Sequence, residues 1–359
     1  MLTVATRAAR PLVPVVGSHQ DRKPRIVAIG GGTGLPTVLR GLRHAADVLG
    51  WKDQTDHVTA VVTVMDDGGS SGQLRRSLGI LPPGDVRNCL SALVRTPSTL
   101  SGILHDRLPG EGTQPGHPIG NLLLAALTTS EGDFLRAIRT LGAQIGISGR
   151  VLPATLENVH LTAAFQDGEA VRGESAITAR GGQIRRLTLE RPVRPLPDTI
   201  EALLNADLIV IGPGSLYTSI LPNLLVDGVA ATLSAITAPR VYVANLMTEP
   251  GETDGYSLGD HLRALKEHTG FDLFDYVLVN RSAIPEGAVQ AYAEDGSHVV
   301  PTIEDELYPA SPKIVAADLA TITSSGQIRH DPAALGMALT ALLDYTGATP
   351  LPGTPHQAI

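Results

Sequence analysis

Residues 25–34 read RIVAIGGGTG, and the five at 30–34, GGGTG, place four glycines directly behind a short apolar run. Beyond Pro36, the residues Val38, Leu39, Leu42, Ala45, Ala46 and Leu49 recur at helical spacing until Gly50. The pattern predicts a strand, a tight turn and a helix. Glycine at such a corner permits positive φ or lets another group come close to the backbone. A helix that opens on a glycine turn presents free N–H groups and the positive end of its dipole, so phosphate oxygens are the expected visitors at Gly31, Gly32, Thr33 and Gly34. Counting from Gly30 gives G-x-G-x-x-L with Leu35 in the third glycine's place, and no Lys-Ser or Lys-Thr pair follows. Neither the dinucleotide fingerprint nor a P-loop is complete.

Outward from that turn the alternation continues. Val58 to Met65 reads as a strand apolar on both faces, as an inner parallel strand is. Helices are expected after DDGGSSG, from Asp85, over Ile119 to Leu127 and after Asp133. The alternation then resumes in the strand Leu208 to Ile211, a helix after Asn223, the strand Val241 to Met247, a helix around Asp260 to His268, the strand Tyr276 to Asn280, and a helix from Pro332 to about Asp344. Together they predict an α/β chain with a doubly wound, mostly parallel sheet. From Val151 to about Pro197 the period becomes two, with turn signals at Asp167-Gly168 and Gly181-Gly182, which predicts a small antiparallel insertion or extension. Residues 1–24 and 346–359, proline-rich and without periodicity, are expected as a flexible arm and tail around one nucleotide-binding domain at 25–345.

The composition narrows the function classes. At 43% hydrophobic and 18% charged residues the chain is globular. A net charge of -8 without a basic stripe, and an aromatic share of 3%, exclude a nucleic-acid partner. Cys89 is the only cysteine, so no intramolecular disulfide forms, which suits a reducing cytoplasm. No run of 18 apolar residues occurs, so no membrane insertion is expected.

A second glycine cluster, MDDGGSSG at 65–72, falls where the second strand ends, on the same carboxyl edge as the first. Asp66 and Asp67 suit ribose hydroxyls or a hydrated Mg²⁺ bridging phosphates, and Ser70 and Ser71 add donors. PPGD at 82–85 brings a third acid, Asp85, with Arg87 and Asn88. GHPIGN at 116–121 and IGPGSLYTS at 211–219 supply Asn121, Gly212, Gly214 and Ser215 at loop-to-helix boundaries. His117 reads as a hydrogen-bonded loop residue or a general base. In NLMTEPGETDGYS at 245–257, Tyr256 is an aromatic able to lie on a nucleobase, or one that packs under its own loop.

Six segments in this order, AIGGGTGL, VTVMDDGGSSGQLRRSLGILPPGDVRNCL, GHPIGNLLLAAL, GRVLPATLENV, ADLIVIGPGSLYTSILPNLLV and NLMTEPGETDGYS, resemble the YvcK-like bacterial gluconeogenesis factors, which share a superfamily with the CofD-like phospholactate transferases. The resemblance covers about residues 25–345. It implies a nucleotide at the carboxyl edge of the sheet. In the YvcK branch it implies UDP-sugars such as UDP-N-acetylglucosamine, with Tyr256 matching the aromatic that meets the uracil, and a regulatory role in gluconeogenic growth and cell shape. In the transferase branch it implies a lactyl diphosphoguanosine donor, Mg²⁺, and Asp66 or Asp67 with Asp85 as the assisting acids. The DDGGSSG and GPGSLYTS forms favour the YvcK branch. The expected partner is a nucleotide-sugar ligand; no tightly bound organic cofactor is expected, and a homo-oligomer is compatible. An NAD-dependent oxidoreductase is a further alternative resting on fold analogy, and Leu35 weighs against it.

Overall fold

The computed structural model describes residues 23–51, 57–110, 116–302 and 312–346. Nearly all of the expected arm and tail lies outside the described residues.

The glycine turn sits where the sequence predicts it, between β1 (Ile26–Gly30) and α1 (Gly34–Val48). The chain then runs through β2 (Val58–Val62), α2 (Gly69–Leu78), α3 (Gly84–Ala92), α4 (Thr99–Gly102), α5 (Ile119–Glu131) and α6 (Phe134–Ile145) to β3 (Arg150–Pro153). An excursion follows: β4 (Leu161–Phe165), β5 (Ala170–Arg172), α7 (Glu174–Arg180), β6 (Ile184–Leu189) and α8 (Pro197–Leu204). The main layer resumes with β7 (Leu208–Ile211), a π-helical turn at Leu216–Ile220, α9 (Leu221–Leu224), α10 (Val229–Ala235), β8 (Arg240–Val243), α11 (Leu258–Thr269) and β9 (Tyr276–Asn280). It ends with α12 (Glu286–Glu294), β10 (Lys313–Ala317), the hairpin of β11 (Ala320–Ile322) and β12 (Ile328–His330), and α13 (Pro332–Thr346).

Seven strands form one sheet in the order β10-β9-β8-β7-β1-β2-β3, with every neighbouring pair parallel. β1 is central, pairing Ile26 with Val58 on one side and with Leu208 on the other. The chain winds from β1 out to β3, returns, and winds the other way from β7. The order therefore reverses between β1 and β7, and the loops leaving their carboxyl ends splay to opposite sides of the sheet, which opens a crevice.

Alternate residues of the strands feed two cores. Val27, Ile29, Val61, Ile209 and Ile211 face one layer of helices, while Ile26, Ala28, Ala60, Val62, Leu208 and Val210 face the other. Burial on both faces is why these strands read as continuous apolar runs. On the second face α1 packs against α13 through glycines: a Cβ at Gly41 would lie 2.2 Å from the carbonyl oxygen of Pro332, and one at Gly336 would lie 2.0 Å from that of Gly41.

The period-two reading of residues 151–197 holds for β4, β5 and β6, which form a separate antiparallel sheet. It fails at the first flank and in the middle. Val151 to Pro153 pair in parallel with β2 in the main sheet, and Glu174–Arg180 is helical. Gly173, at φ +100, ends the strand there, and a cap from a distant carboxylate starts the helix. Among the described residues no single helix is long and apolar enough to cross a membrane.

Candidate functional site

β1 delivers the first glycine turn to the crevice. Gly32 takes φ +57, and Thr33 precedes α1 without capping it by its side chain. Two of the glycines are dictated by the protein's own atoms. A Cβ at Gly34 would sit 2.0 Å from the carbonyl oxygen of Pro213, and one at Gly31 would sit 2.7 Å from Thr63 Cγ2 and 2.8 Å from Asp85 Oδ2. The N–H of Gly32 donates to that same Asp85 oxygen at 2.8 Å, so a carboxylate from α3 already occupies part of the turn's donor surface. What comes close to the backbone at Gly31 and Gly34 is thus the second loop and an internal acid; Thr33 and the outer face of Gly34 remain for a ligand.

β7 delivers the facing loop. Gly212, at φ +78, leads through a cis bond into Pro213, and Gly214 is held at φ +148 by the side chain of Asn245, which accepts its N–H at 3.0 Å and donates to its carbonyl at 2.9 Å. Asn223 Nδ2 donates to the carbonyl oxygens of Gly30, at 3.0 Å, and Ser219, at 2.8 Å, tying the two loops together. The Ser215 carbonyl accepts from the N–H groups of Ser219 and Ile220, which closes the π-helical turn behind the loop.

Between these loops and the segment after β8 lies a cleft of ≈ 390 Å³. Its walls include Thr33, Gly34 and Gly214 from the glycine loops, and Tyr292, Arg329 and His330 from α12 and β12. The volume is that of a small-ligand site. The phenol of Tyr292 accepts from the N–H of Ile328 at 3.1 Å and lies 3.4 Å from an Arg329 guanidinium nitrogen. Glu249, also in the wall, is pushed up by burial, against which the Ser215 hydroxyl and the Arg329 charge act. Burial pushes the His330 imidazole down to about 4, so it is neutral at physiological pH. Tyr292 and Arg329 escape sequence reading because neither adjoins a glycine motif.

Tyr256 does not line this cleft. Its hydroxyl meets that of Tyr217 at 2.8 Å, its ring lies edge-on to His261 with centroids 5.5 Å apart, and it packs against the core. Of the two sequence readings of Tyr256, the geometry matches packing under its own loop.

The paired aspartates at the end of β2 turn apart. Asp67 reaches the antiparallel excursion, where Oδ1 accepts from the N–H of Ser175 at 2.9 Å and Oδ2 from that of Glu174 at 3.1 Å, with His160 Nδ1 at 3.4 Å. Burial acts to raise this carboxyl, but its bonds to Ser175 and His160 outweigh burial and hold it below the usual range. Asp66 Oδ1 accepts from Gly68 N–H at 2.8 Å, and burial pushes its carboxyl up. Asp85 is raised to about 6 and Glu174 to about 7, each by burial first and then by neighbouring carboxylates, with the Gly32 amide and the Ser175 hydroxyl respectively opposing. Among the described residues no group of three His, Cys, Asp or Glu side chains is arranged to hold a metal ion. Of the pair expected to hold magnesium, Asp67 uses both oxygens as a helix cap and Asp66 uses Oδ1 to accept from Gly68.

Ser70, Asn88 and Asn121 do meet. Arg87 donates to Asn121 Oδ1 at 2.9 Å and to Asn88 Oδ1 at 2.8 Å, Asn121 Nδ2 donates to Ser70 Oγ at 3.0 Å, and Ser70 Oγ lies 2.8 Å from His117 Nδ1. This polar cluster is separate from the lining of the cleft.

Comparison with known proteins matches this architecture over most of the chain. The family described as 2-phospho-L-lactate transferase CofD matches residues 26–320. The gluconeogenesis factor of Bacillus subtilis is 41% identical over 323 residues, covering 90% of this chain and 99% of that protein. The gluconeogenesis factor of Halalkalibacterium halodurans is 42% identical over 311 residues, covering 86% of this chain and 92% of that one. A crystal structure of a UPF0052 family member from Bacillus halodurans superposes with a TM-score of 0.81 at 40% identity, covering 88% of this chain and 99% of the other. A reversed strand order, two facing glycine loops and this breadth of likeness lead to one assignment: the chain belongs to the CofD family and is similar within it to the bacterial gluconeogenesis factors.

Proposed function

We propose that the protein is a cytoplasmic regulator that binds a nucleotide sugar of the UDP-N-acetylglucosamine type in the cleft between β1 and β7, and so couples carbon metabolism to envelope synthesis and cell shape. The observation that carries this reading is the make-up of the cleft wall, where the uncapped first turn of α1 stands across from Tyr292 and Arg329. A helix start offers N–H donors and a positive dipole end to a diphosphate, Arg329 adds a cation, and the Tyr292 ring is a face for a base. The names of the similar gluconeogenesis factors support the metabolic side of the reading.

The family description supports a second reading, a transferase that cleaves a nucleoside diphosphate-linked donor. The buried acids Asp66, Asp85 and Glu174 would serve it as proton acceptors, since burial brings the latter two near neutral pH. Calorimetric titration with UDP-N-acetylglucosamine, GDP and NAD separates these readings, followed by chromatography of the recovered nucleotide. The regulator binds the UDP-sugar and returns it intact, with binding preserved in EDTA. Binding of GDP without the UDP-sugar, or consumption of the ligand, refutes it.

A further inference from the structure

Ser70 and His117 lie outside the cleft, and nucleotide binding leaves them without a task. They come from different segments, Ser70 from the first turn of α2 and His117 from the loop before α5, yet Ser70 Oγ and His117 Nδ1 are 2.8 Å apart. One further donor to that oxygen is set from outside. Arg87 has only donors, so its bond to Asn121 Oδ1 turns the amide nitrogen of Asn121 toward Ser70, where it donates to Oγ at 3.0 Å. With one lone pair of Oγ taken by Asn121, the serine's own proton reaches Nδ1 in the tautomer that carries the imidazole proton on Nε2. A hydroxyl within hydrogen-bond reach of a base, oriented by a third group, is the arrangement of an activated nucleophile.

We propose that Ser70 is a nucleophile, with His117 as its base, toward the phosphorus of anionic phosphoryl esters and anhydrides. Phosphorus is favoured over an acyl carbon by the charge around the serine. Three helix starts meet there: Ser70 lies in the first turn of α2, the N–H of Gly84 opening α3 donates to Ser71 Oγ at 3.1 Å, and Asn121 lies in the first turn of α5. Each helix start carries partial positive charge, which acts against the neighbouring carboxylates Asp66 and Asp85. Arg87 adds its charge, and its Nε is buried with no partner. In the step, Oγ bonds to phosphorus, the bond from phosphorus to the leaving group breaks, the leaving group departs with the electron pair, and the serine proton passes to His117 Nδ1. Ser70 is half-buried beside exposed Gly69, so a small electrophile reaches it. The neighbouring Ser71 is an internal control: its oxygen accepts from Gly84, and its hydroxyl is bonded to the Asp66 carboxylate rather than to an imidazole.

The test needs no nucleotide and so stands apart from the proposed regulator. The full chain is incubated with a fluorophosphonate, from which serine attack expels fluoride, and the adduct is located by intact mass and peptide mapping. One adduct per chain is expected, on Ser70 and not on Ser71, formed far faster than on N-acetylserinamide. His117→Gln is expected to slow labelling at least ~100-fold, the usual scale of a general base, while melting like the parent. No adduct, an adduct on another serine, or a rate no higher than that of N-acetylserinamide overturns the proposal. So does a folded His117→Gln protein that labels at the parental rate. If that variant does not fold, the site and rate of labelling of the parent decide alone.

Discussion

Replacing Asp67 with alanine separates a structural carboxylate from a ligand-binding one. In the structure Asp67 is the acceptor for the first two N–H groups of α7, with both bonds at 3.1 Å or less, and the helix itself has only seven residues. Loss of a capping side chain costs ~1 kcal/mol, and bonds to a charged acceptor are worth ~1.5 to 3 kcal/mol, so Asp67→Ala should cost about 2 to 4 kcal/mol. At roughly 2 to 4 °C per kcal/mol for a domain of this size, the melting temperature should fall by about 5 to 15 °C. Asp67→Asn keeps one acceptor and should lose about half as much. The pH dependence has a definite sign. Because the folded carboxyl is held below its ordinary value of ~3.9, its contribution is present above that value and is lost as pH falls through the folded pKa. The stability gap between parent and Asp67→Ala, followed by thermal melts monitored by circular dichroism, should therefore be full at pH 7 and close under strongly acid conditions. At pH 7 and a temperature where both are folded, UDP-sugar affinity should be the same for parent and variant, with or without EDTA. A variant that melts like the parent and loses magnesium-dependent affinity would refute the assignment of Asp67 as a cap.

Gly34→Ala should lower the melting temperature and abolish nucleotide-sugar binding, since a methyl 2.0 Å from the Pro213 carbonyl has no flexible side chain to displace; Gly50→Ala, with nothing within 4 Å, should bind normally. Tyr292→Ala should weaken UDP-sugar binding by ~1 to 3 kcal/mol, the scale of a lost aromatic partner of a base, whereas Tyr256→Ala should lower stability and spare affinity; calorimetry and melting curves with the opposite outcome would exchange their roles. Glu252 is raised to about 7 by burial and then by Glu249, against bonds from Thr218 and Thr178. A raised carboxyl favours the folded state below its ordinary pKa and loses that contribution as pH rises through the folded value, so Glu252→Gln should flatten the decline in stability between about pH 4.5 and 7.

The strands Leu208–Ile211 and Tyr276–Asn280 are legible at their true bounds because a turn or polar residue follows each apolar run directly. α7 is not legible, because what starts it is a carboxylate more than a hundred positions away in sequence. α12 is hidden for a different reason: it buries no residue fully, and the only residues it packs on the Leu246–Met247 cluster, Ala288 and Tyr292, make a face too short to stand out. The glycine turns are legible as places of close approach, but not the identity of what approaches. At Gly31 and Gly34 that is decided by where Asp85 and Pro213 land, a matter of tertiary packing that no local pattern encodes. The pair Asp66-Asp67 is legible as two acids but not as two tasks, since Asp66 accepts from nearby Gly68 whereas Asp67 caps a helix more than a hundred positions away.

The glycine seam between α1 and α13 makes the first helix of the fold depend on a helix far later in the chain. The helix that opens on the first glycine turn emerges from the ribosome early, while the helix whose backbone presses against Gly41 emerges long after it. Until then Leu39 and Leu42 lack Leu335 and Leu339, their neighbours in the same core, so a partly made or truncated chain carries an unsupported first turn. A native packing of the first glycine turn should thus arise only in molecules translated through Pro332 and beyond.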